Sequence, residues 1–381
     1  MTKNINPFIV SGKIPPEYFC DRVEESELLE KSLTNQLNVV LTSARRMGKT
    51  SLVDFVFDKE SIRQEYITIT VDILHTTSLR EFILALGTAV FDVVATRSEK
   101  MRKLFVSVLK SLSTSFGYDP VQNLPTFDIK LGDIVRPEYT LQEIFGYLEQ
   151  VDKRCLVVID EFQQIVYYPE KNVEALLRTH IQKLSNANFV FSGSQRRLME
   201  EMFFSAKRPF YQSAKSIRLE AIPADVYFDF AKLQFGQADK AIDAEAFSHV
   251  YQTFVGVTFH IQRVLKDAFS ETSVGETCDL ECVKHLIDAY VEENDTRLRE
   301  QLAFISEPQK ALLYAIHAEG QVQSITSSAF TRKHRLRSPS ATQSAALKLL
   351  EYELITRREK VYSISDPLFN LWLSKRLNSP I

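Results

Sequence analysis

The chain has 381 residues, enough for two or three domains, and its 45% hydrophobic content suffices for separate cores. Lys and Arg (46) nearly balance Asp and Glu (49), leaving a net charge of −3, so contact with a polyanion has to come from a local patch. No run approaches the roughly 18 apolar residues of a membrane span, the opening MTKNINPF lacks the apolar core of a secretion signal, and Cys20, Cys155, Cys278 and Cys282 are too scattered for a disulfide framework, so a cytoplasmic protein with no membrane contact is expected.

Asn6-Pro7-Phe8 and then Ile14 to Glu25 form a proline-stiffened arm that carries Tyr18, Phe19 and Arg22 into an acidic amphipathic helix, Glu24 to Leu33. Next comes LNVVLTSARRMGKTSLV, Leu37 to Val53. Its first half reads as a short buried strand, Asn38 to Thr42, and its second opens a helix at Lys49. Ser43-Ala44-Arg45-Arg46-Met47-Gly48-Lys49-Thr50 lies between them. It is the phosphate-loop pattern with Ser43 in place of the first Gly, and with Ser51 it is the candidate nucleotide cradle. Gly48 lets the backbone approach the β- and γ-phosphates, and the helix N-terminus points its dipole at them. Lys49 adds a full charge, and the Thr50 hydroxyl is placed for Mg²⁺. The arm either packs on the core or lies across this loop as an apolar wall for an adenine ring.

Tyr66 to Asp72 alternates as a strand, and the capping box Ser78-Leu79-Arg80-Glu81 starts a helix through Val94. Residues 97 to 135 are less regular, mixing a basic helix, Lys100 to Leu112, with the stretch SLSTSFGYDPVQNLP, and read as an insertion on the sheet edge. A second capping box, Thr140 to Glu143, opens another helix. Arg154 to Phe162, RCLVVIDEF, is a continuous apolar run ending in two acids, which is how a central parallel strand delivers carboxylates to a nucleotide site. Asp160 is the Mg²⁺ candidate and Glu161 the candidate base for water. Another strand, Asn188 to Ser194, follows. Ser194, or failing it Ser192, is a sensor of the γ-phosphate or a cap for the helix Gln195 to Phe204.

From Ile222 the alternation stops and amphipathic helices run to about Leu298. Within them His260 and Arg263 follow the turn at Thr253 to Thr258, where they face a nucleotide or sit as core residues of an apolar helix. Cys278, Cys282 and His285 could share a helix face, but a fourth metal ligand is not evident. The rest reads as helix (Pro308 to Ala318), short helix (near Ser324 to Phe330), helix (Pro339 to Tyr352) and hairpin (LITRREKVYSI), the order of a winged helix. Between residues 332 and 360, eight Lys or Arg (332, 333, 335, 337, 348, 357, 358, 360) against three acids (351, 353, 359) give 8 − 3 = +5. That suits double-stranded DNA, through Arg335, Arg337, Arg357 and Arg358, or else a winged helix that docks a protein with its charge solvated.

Together these motifs resemble the archaeal-type ATPase family of the AAA+/STAND P-loop NTPases, as a bacterial, Bacteroides-group-like member. The likeness rests on the Phe19 to Glu25 arm, SARRMGKTSL, LVVIDEFQ, FSGSQRRLM and Asp366 to Trp372. It implies an α/β fold: a parallel-sheet ATPase core (1–220), a helical lid (221–298) and a winged helix (299–381). It also implies an ATP- and Mg²⁺-dependent hydrolase, with Lys49, Glu161 and Ser194 catalytic, Thr50 and Asp160 at the metal, and Tyr18, Phe19, Arg22 and His260 around the nucleotide. Oligomers with an arginine supplied in trans are common in this class, and Arg196, Arg197 and Arg208 are candidates. Asp21, Ser43 and Thr258 depart from the family pattern, the last in the lid's Gly-x-Pro turn. No acidic nuclease constellation is present. A switch whose nucleotide state moves the winged helix is the leading expectation; a weakly hydrolysing scaffold docking a protein partner is the alternative.

Overall fold

The computed structural model describes residues 6–95, 97–119, 124–127, 129–358 and 360–378. The chain divides into two units, Lys13–Glu220 and a second made of Ala221–Ile381 together with Met1–Gly12.

The strands of the first unit are β1 (Val39–Thr42), β2 (Tyr66–Asp72), β3 (Phe116–Asp119), β4 (Leu124–Phe127), β5 (Arg154–Asp160), β6 (Ala187–Gly193) and β7 (Lys215–Arg218). Five of them form one parallel sheet in the order β2-β5-β6-β1-β7. Central strands β1, β5 and β6 are buried almost end to end, whereas β2 at the edge alternates, as helices on both faces require. The two-residue period sorts their side chains. Val40, Val157, Ile159, Phe189 and Phe191 enter the core under the helices Leu79–Ala95 and Pro137–Gln150. Val39, Leu41, Leu156, Val158 and Val190 enter the opposite core, with Leu29 and Leu33 of Val23–Thr34 and Leu52, Val53 and Val56 of Lys49–Asp58. Because β1, β5 and β6 are adjacent and parallel, their C-terminal tips bring the loop after Thr42, the acids after Ile159 and the turn after Gly193 to one edge of the sheet.

Residues 97–135 are more than an edge insertion. The helix Glu99–Val108 and the antiparallel pair β3–β4 close one core, where the fully buried Phe105 meets Tyr147 at 5.1 Å, Phe127 at 5.5 Å and Phe91 at 5.7 Å. Residues 120–123, within this stretch, lie outside the described residues.

In the second unit the helices Ala224–Gly236, Ala244–Thr253, Thr258–Glu271 and Leu280–Glu293 are pinned by a short parallel pair, β8 (Ala241–Ile242) and β9 (Thr277–Cys278). The start of the chain, expected with the core, packs here instead. Phe8 is wholly buried against Phe235 (5.6 Å), Phe269 (5.9 Å) and Phe230 (6.1 Å), and Asn6 donates from Nδ2 to the Lys266 carbonyl at 2.8 Å. Helices Glu307–Glu319, Ser328–Lys333 and Pro339–Glu351 then lead into the hairpin β10 (Ile355–Arg358) and β11 (Val361–Ile364). A Val322–Tyr362 bridge adds a second antiparallel pairing to the wing. The closing helix Pro367–Asn378 ties back to the helices Leu280–Glu293 and Asp295–Ala303 through Lys375–Asp288 and a bond from Trp372 Nε1 to Asp295 Oδ1 at 2.8 Å.

Candidate functional site

Strand β1 hands the chain to the loop at Thr42, and the helix Lys49–Asp58 takes it up again. Gly48, the residue before that helix, has φ +89°, and a Cβ there would meet nothing within 4 Å. Its need for glycine in this structure is therefore the left-handed backbone that starts the helix rather than crowding by protein atoms. Ser43 is buried in the position where the motif expects glycine, and its hydroxyl accepts from Lys49 Nζ at 3.3 Å and donates to the Ala44 carbonyl at 2.6 Å. The ammonium of Lys49 is thus held at the mouth of the loop. Ala44, Arg45, Arg46 and Thr50 are exposed, Ser51 is half-buried, and Met47 is tucked in.

The acids at the end of β5 face this loop. Thr50 Oγ1 donates to Asp160 Oδ2 at 3.1 Å, and the Glu161 amide donates to Asp160 Oδ1 at 3.0 Å. Glu161 turns the chain with φ +55° into the 3-10 segment Phe162–Tyr167. Its Oε2 accepts from Ser194 Oγ at 2.8 Å, from the Ser194 amide at 3.3 Å and from Gln163 Nε2 at 2.5 Å. The Ser194 hydroxyl therefore binds the acid and does not cap the helix Arg196–Phe204. Ser192 Oγ is buried with no hydrogen-bond partner among the described residues. Burial raises the Asp54 carboxyl on the loop helix, with Asp58 and Asp160 adding to the rise and Lys13 opposing it.

A Thr hydroxyl and an Asp carboxylate at hydrogen-bond distance are hard oxygen donors of the kind Mg²⁺ takes while keeping most of its shell as phosphate and water oxygens. Among the described residues, no group of three or more His, Cys, Asp or Glu is arranged to hold a metal. An ion at Thr50 and Asp160 would draw its other ligands from outside the protein.

The arm packs beside the loop. Phe19 stacks on Phe55 of the loop helix at 4.2 Å with 3° between the rings, and Tyr18 is half-buried. Arg22 is buried behind the loop, donating to the carbonyls of Glu220 at 2.7 Å and Met47 at 3.4 Å and pairing with Glu25 at 2.8 Å. It braces the loop backbone. His260 is a correction to the expectation that it touches nucleotide. It is fully buried within the second unit, with Nδ1 against Tyr290 Oη at 3.0 Å and Nε2 against Asp366 Oδ1 at 3.1 Å, so both ring nitrogens are spent on internal contacts. Arg263 is likewise engaged, by Glu293 at 2.8 Å and Asp267 at 3.3 Å. Of the arginines considered for action in trans, Arg196 pairs with Glu200 and Arg208 with Glu174, while Arg197 is exposed.

On the winged helix, Arg335, Arg337, Arg358 and Lys360 are exposed, and Arg357 is half-buried with its guanidinium 5.2 Å from the Tyr362 ring centre. Lys333 and His334 both lie against Glu319, at 2.6 and 2.8 Å, and together hold its carboxyl below the usual range. Lys348 pairs with Glu351 at 2.8 Å. Pairing thus withdraws Lys333 and Lys348 from the basic run, and Glu359, counted among its acids, lies outside the described residues. Gln163 is the site residue that sequence reasoning missed. It follows the acids by two positions, and a polar residue there carries no spacing signal of its own.

Residues 296–375 match a family model described as a probable winged helix domain. A Walker-type ATPase of Pyrococcus abyssi is similar over 97% of this chain and 99% of its own, at 18% identity and a TM-score of 0.67. The ADP form of the ORC2 protein of Aeropyrum pernix is similar over 99% of each chain, at 14% identity and a TM-score of 0.58. The Aeropyrum pernix ORC1 protein in complex with DNA is similar over 94% of each chain, at 13% identity and a TM-score of 0.51. No curated protein matches. The likenesses show the fold: an α/β parallel-sheet core followed by a C-terminal winged helix.

Proposed function

We propose that the chain is a Mg²⁺-dependent, ATP-hydrolysing switch whose nucleotide state governs the use of its winged helix. The observation that carries this reading is the Thr50–Asp160 contact at 3.1 Å, which joins the GKT helix start after β1 to the acidic tip of β5, on the far side of β6 in the same parallel sheet. The loop amides from Ala44 to Thr50 and the helix N-terminus bind phosphate, and Lys49, kept in place by Ser43, adds its charge. Thr50 and Asp160 would hold Mg²⁺, which would supply neutralisation of the phosphate charge there. Glu161, anchored through Oε2, has Oε1 to take a proton from the attacking water, and Ser194 acts through Glu161. Phe19 and Tyr18 offer an apolar surface beside the loop, and Arg22 keeps the loop's shape. The fold likeness to a Walker-type ATPase and to an ORC protein in its ADP form supports the reading.

Arg335, Arg337, Arg357 and Arg358 form the proposed contact with double-stranded DNA, a use supported by the fold likeness to ORC1 in complex with DNA. A second reading, a protein-docking winged helix, is favoured by Leu347, 54% exposed on the helix Pro339–Glu351, and Phe304, 73% exposed. The test is ATP turnover with and without duplex DNA, alongside melting in millimolar MgATP. Stabilisation by MgATP that Lys49→Ala removes is expected. A melting curve that MgATP leaves unmoved would overturn the switch, and DNA-independent turnover with no duplex binding would favour protein docking.

A further inference from the structure

We infer that Gln163 is a positioning residue for hydrolysis, holding the carboxylate of Glu161 so that a single oxygen, Oε1, is offered to water; the inference rests on Glu161 being the base. Three donors converge on the other oxygen. Two come from Ser194 at the tip of β6, and the third is Gln163 Nε2 at 2.5 Å. A carboxylate gripped at one oxygen from two directions cannot swing about its terminal bond, so its free oxygen keeps one direction, which proton abstraction in a preset geometry demands. Removing the donor on one side restores that freedom even with Ser194 intact.

The Gln163 side chain is built into place and is costly to keep there. It is 1% exposed, in the turn that Glu161 opens with its left-handed backbone. Its other amide atom, Oε1, is buried with no hydrogen-bond partner among the described residues. A buried acceptor without a donor is penalised, and a leucine of similar size would fill the same space without that penalty. The opposite amide orientation would set an acceptor against the Glu161 carboxylate, so the donor has to face the acid. Gly193 makes the room: a Cβ at that position would collide with Gln163 Oε1 and the Met199 side chain. Strand β6 thus carries a glycine where the amide must fit, directly before the serine that grips the same oxygen.

The experiment compares the wild type with Gln163→Leu and Gln163→Glu in the full chain, reading steady-state kcat and KM for MgATP, MgATP-induced melting shifts and the pH dependence of turnover. For Gln163→Leu we expect kcat to fall at least about tenfold with an unchanged melting shift, since the nucleotide contacts at Lys49, Thr50 and Asp160 are untouched. In Gln163→Glu two carboxylates face each other, and turnover is lost at neutral pH. As pH falls, one proton is shared between them, the new acid donates to Oε2, and turnover relative to wild type rises. A residue serving only packing would give no such pH-linked recovery. Wild-type kcat in Gln163→Leu, a faster variant, or a flat pH ratio for Gln163→Glu would overturn the inference. Loss of the melting shift in Gln163→Leu would overturn it as well, by making the residue part of the binding scaffold. A wild type that is stabilised by MgATP and yet does not turn over would instead remove the base reading on which the inference stands.

Discussion

Glu161→Gln separates binding from chemistry in a way the site geometry makes quantitative. The amide oxygen of the new side chain can occupy the place of Oε2 and accept from Ser194 and Gln163 as before, which leaves its NH2 in the place of Oε1. What disappears is charge on the acceptor, a modest change for three retained hydrogen bonds, together with all basicity at the reacting atom. A positioned base contributes about 10²–10⁴-fold, which is roughly 2.7–5.4 kcal/mol of barrier. The variant should therefore melt near the wild-type temperature, bind MgATP with about the wild-type affinity, and hydrolyse it at least about a hundredfold more slowly. Single-turnover hydrolysis of radiolabelled ATP, read beside equilibrium binding of a fluorescent analogue, measures both quantities on one preparation. Hydrolysis at the wild-type rate would refute the assignment of Glu161, and the water-activating group would then have to lie elsewhere.

Asp160→Ala should behave differently, weakening MgATP binding and turnover together while nucleotide binding without Mg²⁺ changes little, as titrations with and without EDTA would show. At 100 times the dissociation constant, MgATP should stabilise the wild type by about 2.7 kcal/mol; Lys49→Ala should abolish most of that in a thermal melt. Changing Arg335, Arg337, Arg357 and Arg358 to Ala should flatten the salt dependence of duplex binding by about 0.9 in log–log slope for each DNA phosphate that is no longer neutralised; an unchanged slope would place the DNA on another surface. Phe105→Ala should cost about 3–5 kcal/mol in urea unfolding of the first unit, because its ring is enclosed by Phe91, Phe127 and Tyr147.

The parts of the fold and site that could be read from the sequence are those whose spacing is imposed by local backbone chemistry. Ser43 to Thr50 between a strand and a helix, and Asp160 and Glu161 at the end of an apolar run, each show their element and its neighbour at once. What could not be read depends on contacts between distant positions. Phe105 belongs to a core because Phe127 and Tyr147 close around it, and nothing in the irregular composition of 97–135 announces that. His260 follows a turn suited to a nucleotide contact, but Tyr290 and Asp366 take both its nitrogens. Arg22 matches a motif position, and only the fold shows that its guanidinium ends on the carbonyls of Met47 and Glu220. Gln163 acquires its role from a glycine and a serine about thirty residues away on another strand.

The burial of Phe8 against Phe230, Phe235 and Phe269 sets an order of assembly during synthesis. At roughly 5–20 residues per second, the ribosome releases Phe8 about 10–45 s before the first of those partners. In that interval Lys13–Glu220 is completed in sequence, with every strand of its sheet available. The first unit can thus fold while an aromatic side chain just before it still waits for its neighbours, and the second unit cannot close its aromatic cluster until the helix containing Phe269 has emerged. A ribosome stalled before the helix containing Phe269 has emerged, but after all of Lys13–Glu220 has, should carry a folded first unit with Phe8 still uncovered, the state in which a nascent-chain chaperone would find something to hold.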